Sequence, residues 1–234
     1  MWKTFRISVV FPAYNEEEYI SKAVADFREL GVVDEIVVVD NNSKDRTAAQ
    51  AAAAGARVIQ EAQQGYGCAI RRGLKEASGD LIVVCEPDGT FQAKDLWKFL
   101  AYCEEFDFVL GTRTSKALIW NGANMGYFLK WGNWAVGKLL EFLYNGPSLT
   151  DVGCTYRLIH REALLKIQDQ FRVRASHFSP EMMLVAIKNG LSTVEIPVHY
   201  RPRVGVSKIT GNKLRAFSLG LKMIALILGR RIAP

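Results

Sequence analysis

From Arg201 to Pro234 the chain contains no aspartate or glutamate, against eight basic residues: Arg201, Arg203, Lys208, Lys213, Arg215, Lys222, Arg230 and Arg231. Without those eight, 22 basic residues face 24 acidic ones, so the tail alone turns a slightly acidic chain into one of net charge +6. A tail of this kind suits an anionic partner such as a lipid phosphate or an anionic membrane surface. No nucleic-acid-binding motif accompanies it, and nucleic acid is not expected as a partner. The four cysteines, Cys68, Cys85, Cys103 and Cys154, lack the paired spacing of a zinc site or a secreted disulfide framework, and are expected as free thiols in or near a core. Long apolar runs are missing too. Residues 7–11 are too short and wrongly flanked for a signal peptide, so a cytoplasmic chain is expected. Residues 217–228 form an apolar stretch of 12 residues that includes Lys222. As a helix it would extend about 18 Å against about 30 Å of hydrocarbon, too little to span.

With 234 residues, 49% of them hydrophobic, the chain can bury one large core. No internal repeat interrupts it. Residues 7–11, 35–40, 57–59, 81–85 and 108–111 read as buried strands rich in Val and Ile, and residues 16–30, 43–54, 67–77 and 95–106 as the helices between them. Ser43 or Asp45 can cap the second helix and Gly55 can stop it. The alternation predicts an α/β fold with a mostly parallel sheet. Residues 120–144, which hold Trp120, Trp131 and Trp134, read as a helix whose apolar face packs on that sheet. A catalytic domain over residues 1–210 is expected, followed by a basic amphipathic helix over 211–234. In that tail Leu214, Phe217, Leu221, Ile224 and Leu228 recur at helical spacing, which suits a helix lying on a membrane surface or contacting a second copy of the chain.

Ligands of open α/β sheets bind beyond the carboxyl ends of the strands. Pro12, Ala13, Tyr14, Asn15 and Glu16 follow the first strand, Asp40, Asn41 and Asn42 the second, and Glu86, Pro87 and Asp88 the strand that begins at Leu81. Two acids one residue apart can present hard oxygens to a Mg or Mn ion shared with a diphosphate. The Gly-rich phosphate loop that a sugar-nucleotide pyrophosphorylase would carry after its first strand is absent.

The run Val9 to Glu17 (VVFPAYNEE) resembles the opening of family 2 glycosyltransferases. Asp40 to Asp45 (DNNSKD) is similar to that family's second signature, Gln64-Gly65-Tyr66-Gly67 with Ala69 and Gly73 to its third, and Glu86-Pro87-Asp88-Gly89 to its metal motif. Leu110 to Arg113, Thr150 to Arg157, and Tyr200 to Arg203 through Ser207 and Lys208 resemble the dolichol-phosphate mannose synthase and polyprenyl-phosphate glycosyltransferase branch. The resemblance covers residues 5–210. It implies a GT-A type, Rossmann-like nucleotide-binding fold that moves a sugar from a nucleotide-sugar, of the GDP-mannose or UDP-glucose type, to a polyprenyl or dolichyl phosphate with inversion. Pro12, Ala13, Tyr14, Glu16, Asp40, Asn42, Gly65, Gly67 and Arg71 are the implied donor contacts. Glu86 and Asp88 are the implied metal ligands, and Asp88, Arg113, Asp151 and Glu181 the catalytic set.

A lipid phosphate is already ionised near neutral pH and needs no base, whereas a soluble sugar hydroxyl would need a carboxylate such as Asp151 or Glu181. Arg201, Arg203, Ser207 and Lys208 are expected to bind acceptor phosphate, guanidinium forks matching phosphate oxygens. The chain departs from the family pattern at Glu86, where Asp is usual, and at Thr90, where Gln is frequent.

Overall fold

The computed structural model describes residues 2–123, 125–204 and 213–232. Seven strands form one sheet in the order β3-β2-β1-β4-β6-β5-β7: β1 Ile7–Ala13, β2 Glu35–Asp40, β3 Arg57–Gln60, β4 Leu81–Val84, β5 Phe108–Thr112, β6 Arg157–His160 and β7 Thr193–Pro197. The pairings β1·β2, β1·β4, β2·β3 and β5·β7 are parallel, and only β6 runs against its neighbours β4 and β5. The five strands read from the sequence are present. The other two, β6 and β7, are not among the strands that the sequence pattern predicts.

Successive residues of a strand point to opposite faces, and here both faces are covered. Val10, Val37, Val39, Ile82 and Val84 enter one core, under α3 (Tyr66–Glu76), α7 (Phe178–Lys188) and α8 (Lys213–Ile232). Val9, Phe11, Ile36, Val38, Leu81 and Val83 enter the other, under α1 (Ile20–Arg28) and α4 (Leu96–Tyr102). All four cysteines are free and buried, as expected, and burial pushes the Cys154 thiol up to about 12.

Two helices begin later than their periodicity suggests. Residues 16–19 form a turn closed by Tyr19 N donating to Glu16 O at 3.1 Å, so α1 starts at Ile20. In the next loop Asp45 Oδ1 accepts from Thr47 N at 3.0 Å and delays α2 (Thr47–Ala53), which Gly55 ends at φ +90°. In both cases the displaced residues shape the rim instead.

Only residues 127–144 of the aromatic segment form a helix, α5 (Tyr127–Tyr144); Trp120 lies outside it, and most of the large aromatics of α5 do not pack on the sheet. Val136, Gly137 and Leu140 face the core, while Tyr127, Phe128, Trp131, Trp134 and Phe142 stay exposed. Beside it, α8 carries two apolar faces. Met223 and Ile227 are buried in the core shared with α5 and α7, and Tyr144 Oη donates to Ile227 O at 2.7 Å. Leu214, Phe217, Leu221 and Leu228 are exposed. Leu219, Leu226 and Ile224 are partly buried against the core, which puts Ile224 apart from the outer stripe expected of it.

Helix α3 lies close to the sheet at Gly73, where an added Cβ would stand 2.2 Å from Val10 Cγ1 and 3.1 Å from Val39 Cγ2. Both valines are wholly buried and have no room to yield. Alanine gains about 1 kcal/mol of helix propensity there, and overpacking costs about 1–3 kcal/mol. Gly73→Ala is therefore expected to lower unfolding stability by up to about 2 kcal/mol, measurable as a shift of the urea midpoint at unchanged m-value.

Candidate active site

The loops after β1, β2 and β4 meet at one rim, and the first two are tied to each other and to the loop after β3. Asn15, at φ +56°, donates from its N–H to Ser43 Oγ at 3.0 Å, and its Oδ1 accepts from Lys44 N at 2.8 Å. Glu16 N donates to Thr47 Oγ1 at 2.8 Å. Asn41 binds the loop ahead of α3, donating from Nδ2 to the Glu61 and Gln63 carbonyls and accepting from Gly65 N at 2.7 Å. The rim opens into a cavity of 570 Å³. Pro12, Ala13, Tyr14, Glu16, Glu86 and Asp88 line its polar end with Arg113 and Arg203, and it continues between α5 and α8 past Phe128, Leu129, Val136, Phe217, Leu221 and Ile224.

Charge at the polar end is unevenly matched. Asp88 is buried; its Oδ1 accepts from Thr90 N and Oγ1, and its Oδ2 pairs with Arg203 Nη1 at 2.9 Å. The other arm of the Arg203 fork binds Glu16 Oε1. Burial opposes the charge on Arg203, but Asp88 and Glu16 hold its pKa above the ordinary value. Glu86, beside them, is pushed up to about 7, first by burial and then by the negative charge of Asp88. Among the described residues no cluster of three or more His, Cys, Asp or Glu could cage a metal by itself. Two adjacent carboxyls with excess negative charge do fit a cation of the Mg or Mn type, which takes one or two carboxylates and completes its shell with substrate phosphates and water.

Asp151 does not face the cavity, and the expectation that it could act as a base is corrected. It is wholly buried, and its oxygens accept from Arg113 Nε at 2.8 Å, Nη2 at 2.9 Å and N at 2.9 Å, and from Gly153 N at 3.1 Å. With both oxygens engaged, it positions Arg113, whose guanidinium lines the cavity over the Tyr200 ring at 5.1 Å. Glu181 is likewise corrected as a catalytic group. It is buried behind the cavity, accepting from Arg172 N and Val173 N and pairing with Arg230 of α8 at 2.9 Å.

Other expected contacts also move. Gly65 and Gly67 admit the 173–174 backbone rather than a phosphate: an added Cβ would meet Arg174 O at 2.4 Å or Val173 O at 2.5 Å, and Gly67 N donates to Arg174 O at 2.9 Å. Arg71, five residues along α3 from Tyr66, turns to a separate polar cavity with Glu61 and Arg174. Asp40 is buried and accepts from Ser43 N, while Asn42 donates to Ala62 O; neither lines the main cavity. Arg201 also stands off it, its guanidinium 4.5 Å from the Trp120 ring centroid and, with the Gln92 amide oxygen turned toward it, donating there from Nε and Nη2 at 3.0 Å. Ser207 and Lys208 lie outside the described residues. Asn41, Gln64, Tyr66 and Thr155 line the cavity without having been singled out individually, although all four sit inside the motif runs.

Residues 8–168 match the glycosyl transferase family 2 pattern. The protein belongs to that family. It is 30% identical to the dolichyl-phosphate hexose transferase of Haloferax volcanii over 87% of this chain and 86% of the relative. It is 33% identical to an uncharacterized glycosyltransferase of Mycobacterium tuberculosis over 88% and 90% of the two chains. The glycosyltransferase AglJ of Haloferax volcanii is 29% identical over 84% of this chain, which spans 63% of that relative's length. The fold is also that of glucosyl-3-phosphoglycerate synthase from Mycobacterium tuberculosis, solved with Mn2+, UDP and phosphoglyceric acid: TM-score 0.75, 22% identity, 99% of this chain and 80% of the other. This family 2 glycosyltransferase therefore has a GT-A type fold, as its motifs implied.

The Asp151 loop is supported from below by Glu195 of β7, which accepts from Thr150 N at 2.8 Å and Asp151 N at 2.9 Å. Burial raises the Glu195 pKa from 4.5 to about 7. A carboxyl with a raised folded-state pKa stabilises most below its unfolded value and loses that contribution as pH rises through the folded one. The Glu195 contribution is thus expected to fall between pH 4.5 and 7 by up to about 3 kcal/mol. Denaturant titrations at both pH values should show a smaller difference for Glu195→Gln than for the parent.

Proposed function

We propose that this glycosyltransferase moves a hexose from a nucleoside diphosphate sugar to a polyprenyl phosphate. The observation that carries the reading is the continuity of the cavity, whose polar rim of Glu16, Asp88, Arg113 and Arg203 opens directly into the apolar channel between α5 and α8. A donor diphosphate suits the rim, a lipid phosphate suits its two guanidiniums, and an isoprenoid chain suits the channel, which would exclude water from the transfer. The similarity to a dolichyl-phosphate hexose transferase supports the same acceptor class.

Engagement of Asp151 and Glu181 by N–H donors fits an acceptor that needs no base. Glu86 and Asp88 would hold the divalent cation, whose chemistry is to neutralise charge developing on the departing diphosphate. Asp151 fixes Arg113 toward the cavity, and Arg113 and Arg203 would hold phosphate oxygens. A second reading, transfer to a soluble sugar hydroxyl, would need a carboxyl at the cavity rim as its base, since Asp151 and Glu181 are engaged elsewhere.

No helix among the described residues is long and apolar enough to cross a membrane. The exposed aromatics of α5 and the outer stripe of α8, flanked by Lys222 and Arg231, instead suit a peripheral membrane face, with aromatic rings at the headgroup level and cations toward anionic lipid.

Incubation with GDP-, UDP- and dTDP-sugars, with and without polyprenyl phosphate and Mn, tests the acceptor. Glycolipid should form only with the lipid phosphate, and transfer to soluble sugars alone would establish the second reading. Phe217→Asp is expected to raise the acceptor KM at unchanged donor KM. Asp88→Asn should lower kcat on the order of 100-fold or more with the native circular-dichroism spectrum retained, and EDTA should abolish turnover of the parent protein.

Sedimentation with anionic liposomes tests the surface. The intact protein should pellet at low salt, and Trp131→Glu or high salt should release it. Retention in the supernatant at low salt would remove the membrane face.

A further inference from the structure

The second, polar cavity measures 390 Å³ and shares no lining residue with the first. Arg71, Arg72 and Lys75 line it from one side of α3, and Arg174 lines it from the segment ahead of α7. These four cations face two carboxylates, Glu61 and Asp169.

The cations are not equally matched. Arg72 pairs with Glu76, one helical turn along, at 3.0 Å, an opposite-charge pair of the kind that supports a helix. Arg71 and Lys75 stand at the same spacing with the same sign, which works against one. Among the described residues no ion pair neutralises Arg71, Lys75 or Arg174. The Glu61 carboxylate is turned instead to its own loop, accepting from Gln63 N at 2.7 Å.

Two glycines bring Arg174 to this place. Gly67 N and Cys68 N donate to Arg174 O at 2.9 and 3.3 Å, and a Cβ on Gly65 would stand 2.4 Å from that same oxygen. The two guanidiniums then converge on one thiol. Burial and the Glu61 charge raise the Cys68 pKa, while Arg174 and Arg71 both act to lower it. The 172–176 segment that carries Arg174 also donates from Arg172 N and Val173 N to Glu181, and it reaches the main cavity at Ser176.

Two guanidinium forks and an ammonium match an anion with several oxygens and more than one negative charge. A carboxylate, with two oxygens and one charge, would occupy a single fork, whereas a phosphate can engage both and relieve the like-charge pair on α3. We propose that this cleft binds a phosphate-bearing anion, at a site separate from the catalytic cavity. The anion is a lipid headgroup or a free phosphorylated molecule, and the chemistry that holds it is the same. Bound at Arg174, it would brace a segment that borders both cavities. None of this depends on which sugar or acceptor the enzyme uses.

Calorimetry of the full chain with inorganic pyrophosphate tests the site, at low ionic strength and in EDTA so that no metal carries the anion to the catalytic rim. The parent should bind, and its melting temperature should rise with pyrophosphate. Arg71→Gln and Arg174→Gln should each weaken binding about tenfold or more. Lys94→Gln, which removes an exposed cation outside the cleft, should leave it unchanged. The ligand-free melting temperature of Arg71→Gln should equal the parent's or exceed it, because a like-charge pair is removed. A second arm measures sedimentation with phosphatidylcholine vesicles that contain phosphatidic acid. Weakening of the cleft variants in both arms identifies a lipid headgroup, and weakening with pyrophosphate alone identifies a free anion. The site is overturned if the parent does not bind pyrophosphate, if binding survives both cleft substitutions, or if Lys94→Gln weakens it as much as they do.

Discussion

The sheet of this protein is buried on both faces, with Val9 and Val10, Val37 and Val38, and Ile82 and Val83 entering opposite cores at successive positions. Charged or catalytic side chains along such strands would be desolvated without compensation, so the chemistry is confined to the strand ends. Because β1, β2 and β4 are parallel neighbours, their carboxyl ends open on the same side and their three following loops are forced together. Asn15 and Glu16 tie the first two loops together, Asn41 ties the second to the loop after β3, and Arg203 joins Glu16 of the first to Asp88 after β4, which makes them one wall.

Electrostatics at that wall follow from the same crowding. Glu16, Glu86 and Asp88 are held close, and Arg203 engages Glu16 and Asp88 while Arg113 is paired with Asp151. The remaining negative charge appears in Glu86, whose carboxyl is pushed up to about 7 by burial and by Asp88. A site with this imbalance attracts cations, and a diphosphate brought with its own metal would relieve it. Asp151 is bound by four N–H donors from Arg113 and Gly153, and Glu195 anchors its loop from β7, so the guanidinium of Arg113 is held without a free base beside it.

The apolar half of the cavity depends on a different division of labour. Helix α8 uses Met223 and Ile227, four residues apart, to join the core, and leaves Phe217 and Leu221 at the channel. Its far end is held by Arg230 on Glu181 and by Lys188 on Arg230 O at 3.1 Å. The acidic Glu181 is therefore part of how the basic tail is fastened. Charge that the sequence offers to an anionic partner is in part consumed by an internal ion pair.

Strand positions, helix order and the three polar clusters were legible in the sequence because they depend on local periodicity and on turn residues that follow each strand. Motif runs likewise pointed to the neighbourhoods of Tyr14, Glu16, Asp88, Arg113 and Arg203, all of which line the cavity. Which members of a run face the ligand was decided by the tertiary structure. Asp151, Glu181, Gly65, Gly67, Arg71 and Arg201 carry the right chemistry but engage Arg113, Arg230, the Arg174 and Val173 carbonyls, a separate cavity or Gln92. Asn41, Tyr66 and Thr155 took the wall instead. The β6 strand, and the two-faced character of α8, were equally out of reach. A sequence states what a side chain can donate or accept, but the partner that uses this capacity comes from distant segments, and only packing brings those together.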